Sequence, residues 1–246
     1  MPTMDAHSRG TQSQPGANSR AMARAAIRFL ILILLTLGVP FLAAGRLDWW
    51  PAWVLAAMNL ASIAISRIIP ARRNPDLLAE RAQASGGEGG KSWDRVLMPL
   101  VALYAPLLIW VTAGLSERYG WLPRVPLWAQ AAGFLAFAAG SAFASWAFVA
   151  NRFFSTVVRI QSDRGQTVVT GGPYRFVRHP GYAGGALLHL ASAPALGSLW
   201  ALIPAALTIA LIILRTALED RTLHDELVGY RDYAARVRYR LLPGVW

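Results

Sequence analysis

The chain has 246 residues, of which 55% are hydrophobic and only 15% are charged. A typical soluble domain carries about 25% charged residues, so this composition excludes both an ordinary soluble enzyme and disorder over the whole chain. The formal net charge of +11 is typical of a membrane protein or a nucleic-acid-binding protein, and the placement of the charges decides between them. There are no cysteines, which excludes disulfides and zinc–thiolate sites, and we expect no bound metal.

The N-terminal half is predicted to be a tail followed by membrane helices. Residues 1–25 are expected to be a disordered cytoplasmic tail, because the first 20 are rich in Ser, Gln, Gly and Pro. Residues 26–150 then contain four stretches without charge, at 29–45, 49–66, 96–116 and 125–151. A spanning helix needs about 20 mainly apolar residues, so each stretch predicts one membrane helix.

A fifth stretch without charge runs from Gly181 to Leu214, over 34 residues. As a single helix it would be roughly 50 Å long, well beyond a hydrocarbon core of about 30 Å. Pro194 and Gly197 near its middle favour two helices, 182–195 and 199–216, joined as a hairpin. The alternative is one long, tilted and kinked helix. With the hairpin, the sequence predicts about six membrane helices.

The basic residues predict the orientation in the membrane. The tail up to Arg28, segments 71–95 and 152–180, and the C-terminal stretch from Arg215 hold 20 of the 24 basic residues. Basic residues concentrate on the cytoplasmic side, so both termini are expected there. This distribution explains the basic excess, and no nucleic-acid partner is expected.

Residues 151–246 hold the motifs that suggest chemistry. Residues 170–185 read Thr-Gly-Gly-Pro-Tyr-Arg-Phe-Val-Arg-His-Pro-Gly-Tyr-Ala-Gly-Gly. Pro180 suits the first turn of a helix, and the glycines after it allow close approach of another helix, which composition favours, or of a ligand. Upstream, residues 157–169 are expected to form a short β-hairpin.

A second cluster lies at the end of the apolar hairpin. Arg215 and Glu219 are four residues apart and are expected to pair on one helix face. The adjacent acids Glu219 and Asp220 offer a place for a cationic ligand group. The chain to about Arg238 is predicted to be an amphipathic cytoplasmic helix, with apolar residues at 223, 227, 230, 234 and 237.

The ordered set Gly-Pro-Tyr-Arg-Phe-Val-Arg-His-Pro-Gly-Tyr-Ala-Gly, an apolar hairpin and Glu-Asp resembles the isoprenylcysteine carboxyl methyltransferase family. The broader group includes the phospholipid N-methyltransferases. The resemblance covers about residues 150–246, and the run Asn151-Arg152-Phe153-Phe154 looks like the bacterial branch. One departure is Asp220, where the family pattern has a second Glu.

The resemblance implies an all-α integral membrane protein, in the bacterial inner membrane, that transfers a methyl group from S-adenosylmethionine. The acceptor is expected to be a lipophilic small molecule or lipid, methylated on a carboxylate or an amine. The resemblance implies most of the cofactor-binding residues, and either Arg178 or His179 is expected to take the donor's carboxylate. The full predicted set is Arg178, His179, Pro180, Tyr182, Gly184, Glu219 and Asp220.

Two other classes of function stay open at this level. One is an NADPH-dependent membrane reductase of the sterol-reductase type, whose C-terminal region is broadly similar. The other is a non-catalytic membrane protein, such as a transporter or an assembly factor. Nucleotide binding separates the first class from a methyltransferase, and turnover of any substrate argues against the second.

Overall fold

The computed structural model describes residues 15–73 and 89–246, and all regular secondary structure in these stretches is helical. Seven helices follow one another: α1 (Pro15–Ala44), α2 (Trp50–Arg73), α3 (Asp94–Tyr119), α4 (Leu127–Ala150), α5 (Pro180–Ala195), α6 (Leu202–Glu226) and α7 (Tyr230–Arg236). Helix α3 contains one π-helical turn at Leu100–Tyr104. The predicted all-α class is confirmed.

The helices are apolar enough for an integral membrane protein. Helices α3, α4 and α6 are each long and apolar enough to cross a bilayer, whereas Leu30–Ala44 and Trp50–Ser66 are shorter apolar helices. Leucines such as Leu42, Leu135 and Leu207 are largely exposed, as expected for side chains that face lipid. Helix α5 has 16 residues, about 24 Å of rise. Within the part of the chain that the structure describes, three of the six predicted membrane helices therefore combine the length and the hydropathy of a full span.

The start of α1 differs from the prediction. The helix begins at Pro15, so residues 15–25 are helical where we expected the end of a disordered tail. The rest of the predicted tail, residues 1–14, lies outside the described residues.

The apolar hairpin is confirmed. Helix α5 ends at Ala195, and Gly197 adopts the left-handed conformation with φ of 79° in the turn that leads to α6. The alternative of one long kinked helix is wrong. Helix α6 is longer than predicted and continues to Glu226, which carries the acidic residues on the same rigid helix as the apolar span.

Helices α4 and α5 pack closely through glycines. A Cβ atom on Gly184 would lie 2.6 Å from the Ala144 nitrogen and 2.6 Å from the Gly140 oxygen. On the facing helix, a Cβ atom on Gly140 would lie 2.8 Å from the Gly184 oxygen. The glycines therefore let two backbones touch, as small residues do in membrane helix pairs. Gly184, predicted to bind cofactor, is placed in this helix contact.

The segments that were predicted to be cytoplasmic differ from the predictions in two places. Residues 157–169 contain a 3-10 turn at Ser162–Arg164 and no strand, so the predicted β-hairpin is wrong. The predicted amphipathic helix to Arg238 is interrupted, because α6 ends at Glu226 and Gly229 is left-handed with φ of 81°. Its apolar stripe is nevertheless buried, in a cluster formed by Ala147, Tyr174, Leu227, Tyr230, Tyr233 and Ala234.

We predict that Gly184→Ala destabilises the protein, because its new methyl group meets the backbone of α4. Overpacking of this kind costs about 1–3 kcal/mol. Gly185→Ala is the matched control, since a Cβ atom there meets nothing within 4 Å. Thermal unfolding in detergent should show a lower Tm for Gly184→Ala alone. Equal Tm values for the two variants would contradict the proposed helix contact.

Candidate active site

A cavity of about 280 Å³ lies where the ends of several helices meet. The start of α3, the loop after α4, the start of α5, the end of α6 and helix α7 surround it. Its wall includes apolar, aromatic and charged side chains, among them Met98, Ala102, Phe153, Phe154, Arg159, Tyr174, Arg178, His179, Tyr182, Arg215, Glu219, Leu223, Tyr230 and Tyr233. An apolar cleft with a few converging polar groups is the usual form of a small-molecule site.

His179 and Tyr182 enter the cavity from the first turn of α5. His179 has a φ of −125° and lies outside the helix, which begins at Pro180 as predicted. The backbone N–H of His179 donates to the Arg240 carbonyl at 2.9 Å, which fixes the loop before the helix. The rings of His179 and Tyr182 stack with centroids 5.9 Å apart. They form one side of the cavity, and Pro180 is buried behind them.

Asp220 is the centre of a buried polar network. Arg178 donates to both oxygens of its carboxylate, at 2.8 and 3.0 Å, and Tyr230 and Arg240 donate to it at 2.8 Å each. The imidazole Nε2 of His179 lies 3.1 Å from the same carboxylate. Burial and this carboxylate raise the pKa of the Tyr230 phenol well above its usual range. The network joins the start of α5, the end of α6 and the C-terminal segment.

Arg178 and Asp220 were predicted to contact the cofactor, and the structure gives their polar groups partners inside the protein. Besides the two bonds to Asp220, the Arg178 guanidinium donates to the Val237 and Arg238 carbonyls at 3.0 and 2.9 Å. Asp220 has no exposed surface and is absent from the cavity wall. These two residues therefore position the loop and α7 around the cavity.

Glu219 has a different environment from its neighbour. It lies on the cavity wall, and the Tyr182 hydroxyl donates to its Oε2 at 2.5 Å. The predicted ion pair with Arg215 is wrong, and among the described residues Glu219 makes no ion pair. Its carboxylate is thus available to a ligand in the cavity.

Arg215 pairs instead with Asp94, a residue that the sequence analysis missed. The Arg215 guanidinium donates to both Asp94 oxygens, at 2.7 and 3.1 Å, and to the Thr156 carbonyl at 2.7 Å. The Val158 N–H donates to the same carboxylate at 2.7 Å, which ties the loop after α4 to α3. The signal in the sequence was the position of Asp94 beside the uncharged stretch 96–116. An acid that is buried there needs a cationic partner.

The predicted residues thus divide into two groups. Arg178, His179, Tyr182 and Glu219 lie together on the cavity wall. Pro180, Gly184 and Asp220 lie behind it, in the helix start, the helix contact and the buried network respectively.

Residues 128–226, which include α5, α6 and all of α4 except its first residue, match the model of the phospholipid methyltransferase family. This segment is similar to that family. The resemblance stated from the sequence is confirmed, because the family contains the branch it named, and the chain holds a membrane methyltransferase region. No curated protein is significantly similar to the chain.

The matched segment contains Arg178, His179, Tyr182 and Glu219 of the cavity wall, and also Arg215 and Asp220, but not all the partners of the last two. Asp94 precedes the matched segment, and Tyr230 and Arg240 follow it. The site is therefore completed by residues on both sides of the family region.

We predict that Asp94→Asn strongly destabilises the protein, by about 3–5 kcal/mol, because it leaves the buried Arg215 cation without a carboxylate. The double variant Asp94→Asn/Arg215→Met should lose less, since it removes both charges. Glu226→Gln is the control on α6; it breaks the more exposed Lys91–Glu226 pair, worth at most about 1 kcal/mol. Chemical unfolding in detergent measures all three, and a loss for Asp94→Asn no larger than the control's would contradict the buried pair.

Proposed function

We propose that the protein is an S-adenosylmethionine-dependent methyltransferase of the isoprenylcysteine carboxyl methyltransferase type, acting on a lipophilic acceptor. The observation that carries the proposal is the Glu219 carboxylate, which lies on the cavity wall, accepts a hydrogen bond from Tyr182 and makes no ion pair within 4 Å among the described residues. A cavity with an unpaired carboxylate and aromatic rings suits a ligand with positive charge. The methyl donor carries such charge on its sulfonium and its amine.

The chemical groups on the cavity wall match those of the methyl donor. Glu219 can accept hydrogen bonds from the amine or from ribose hydroxyls, and the Tyr182 hydroxyl holds the carboxylate in place. The faces of Tyr182 and His179 are nearly parallel, with 19° between the ring planes. Aromatic faces of this kind attract cations. In this proposal His179 orients the ligand, with its imidazole held by the Asp220 network.

The bound donor supplies an electrophilic methyl group on sulfur. Transfer in line to an acceptor removes the donor's positive charge, so the chain's task is to align the two molecules and to exclude water. The apolar wall formed by Met98, Ala102 and Leu223 serves the exclusion of water. A carboxylate acceptor needs no base, whereas an amine acceptor must lose a proton at some stage.

The acceptor is proposed to be a lipid or a lipophilic small molecule that reaches the cavity from the bilayer. The support is that Met98 and Ala102 on the cavity wall belong to α3, one of the three helices long enough to span a membrane. A site at the end of a membrane helix is accessible to a molecule dissolved in the lipid.

We expect S-adenosylmethionine to bind saturably to the detergent-purified full-length protein in calorimetry. Glu219→Gln should weaken this binding about tenfold or more, because a hydrogen bond to a charged group contributes about 1.5–3 kcal/mol. Glu226→Gln, on the same helix but outside the cavity wall, should leave the affinity unchanged. NADPH is titrated in parallel. Binding of NADPH alone would favour the reductase class, and binding of neither nucleotide would favour a non-catalytic protein.

The proposed orientation places both termini and the cavity on the cytoplasmic side of a bacterial inner membrane. Its basis is the excess of Lys and Arg in alternate loops. Cysteine labels introduced at positions 85 and 165 should react from the cytoplasm, and one at 121 from the opposite side. The absence of native cysteines makes each label unique. Any one label on the wrong side would contradict the orientation.

A further inference from the structure

Three arginines contribute to the cavity wall, and two of them are already neutralised. Arg178 is paired with Asp220, and Arg215 is paired with Asp94. Both carboxylates are almost completely buried, with 1% of each side chain exposed. A negatively charged ligand at either arginine would meet a guanidinium whose charge a buried carboxylate already balances.

Arg159 is the third arginine and has a different set of contacts. Its side chain is 15% exposed, and its Nε atom is buried without a hydrogen-bond partner in the part of the chain that the structure describes. Its ion pair is with Asp163, at 3.3 Å, and the Asp163 side chain is 60% exposed. Exposed pairs of this kind are weak, whereas a buried donor without a partner is costly.

The backbone on both sides of Arg159 is fixed. The Val158 N–H donates to Asp94 at 2.7 Å, and the Val158 carbonyl accepts from the Lys91 N–H at 3.0 Å. Two residues after Arg159, the buried Gln161 side chain donates to the Phe153 carbonyl at 2.6 Å. The backbone that carries Arg159 is therefore fixed beside the cavity, which limits the positions open to its side chain and favours a preorganised binding group.

We propose that Arg159 is an anion-binding residue of this cavity and takes the carboxylate or phosphate group of a bound ligand. A guanidinium presents its N–H groups as a planar fork that matches these two anions. Arg159 thereby takes the role that the sequence analysis gave to Arg178 or His179. This inference rests on the proposed function, which supplies the ligands. The anion is either the carboxylate of the methyl donor or an anionic group of the acceptor.

The experiment compares ligands with and without the anion. S-adenosylmethionine and its decarboxylated analogue are titrated into the wild type and into Arg159→Met, which removes the charge and keeps much of the side-chain volume. Short-chain phosphatidic acid and the diacylglycerol of the same chain length are titrated in parallel. Arg175→Met is the matched control. Arg175 lies in the same connection between α4 and α5 as Arg159, but it is exposed and is not on the cavity wall.

If the donor supplies the anion, the wild type should prefer S-adenosylmethionine over its decarboxylated analogue at least tenfold, and Arg159→Met should abolish this preference. If the acceptor supplies it, Arg159→Met should leave both donor affinities unchanged and abolish the preference for phosphatidic acid. Asp163→Asn should strengthen binding of the same ligand, because it removes the competing carboxylate.

Unchanged preferences in Arg159→Met, with both ligand pairs, would overturn the inference. A wild type that binds neither donor would instead contradict the proposed function, and the phosphatidic acid pair would still test Arg159. Equal Tm values for Arg159→Met and the wild type would exclude misfolding as the cause of any loss.

Discussion

The burial of one carboxylate holds the site together. Asp220 has no exposed surface, and it accepts hydrogen bonds from the start of α5, from α7 and from the C-terminal segment. An ionised carboxylate away from water is stable only when such donors surround it. The same hydrogen bonds also fix the donors. They hold the side chains of Arg178, Tyr230 and Arg240 around the carboxylate. The wall of the cavity is built from the same pieces of chain, so its shape depends on this network.

The same logic explains why two adjacent acids have different environments. Successive residues on a helix point about 100° apart, so Asp220 faces the interior while Glu219 faces the cavity. The side chain of Asp220 is one methylene shorter than that of Glu219. Its carboxylate therefore lies close to α6, where the donors of Arg178, Tyr230 and Arg240 reach it. Asp94 completes the arrangement by pairing with Arg215, which is four residues before Glu219 and would otherwise be its natural partner. The cavity is therefore left with a carboxylate, that of Glu219, which makes no ion pair within 4 Å among the described residues.

The sequence predicted best what depends on local rules. The hairpin followed from the length of one uncharged stretch, and the start of α5 followed from the stiffness of Pro180. The predictions that failed depended on contacts distant in sequence. Spacing alone paired Arg215 with Glu219, because Asp94, 121 residues away, cannot be seen in a helix pattern. For the glycines after Pro180, composition favoured a neighbouring helix and left a ligand open, and the approach of α4 shows the helix contact at Gly184. Residues 157–169 have a β-pattern but form no strand. The Asp94 carboxylate accepts a hydrogen bond from the Val158 N–H, and the Gln161 side chain donates to the Phe153 carbonyl, so side chains and not a neighbouring strand bind these backbone groups.

The contact between the loop before α5 and the C-terminal segment has a consequence for biosynthesis. The backbone N–H groups of Arg178 and His179 donate to the carbonyls of Tyr239 and Arg240, which the ribosome makes after every helix of the bundle. Helices α1 to α6 can therefore enter the membrane while the cavity still lacks one of its walls. Until residues 239 and 240 arrive, the loop with His179 has unpaired backbone groups that water must satisfy. Insertion of the helices and completion of the site are thus separate events, and the second waits until residues 239 and 240 have been made.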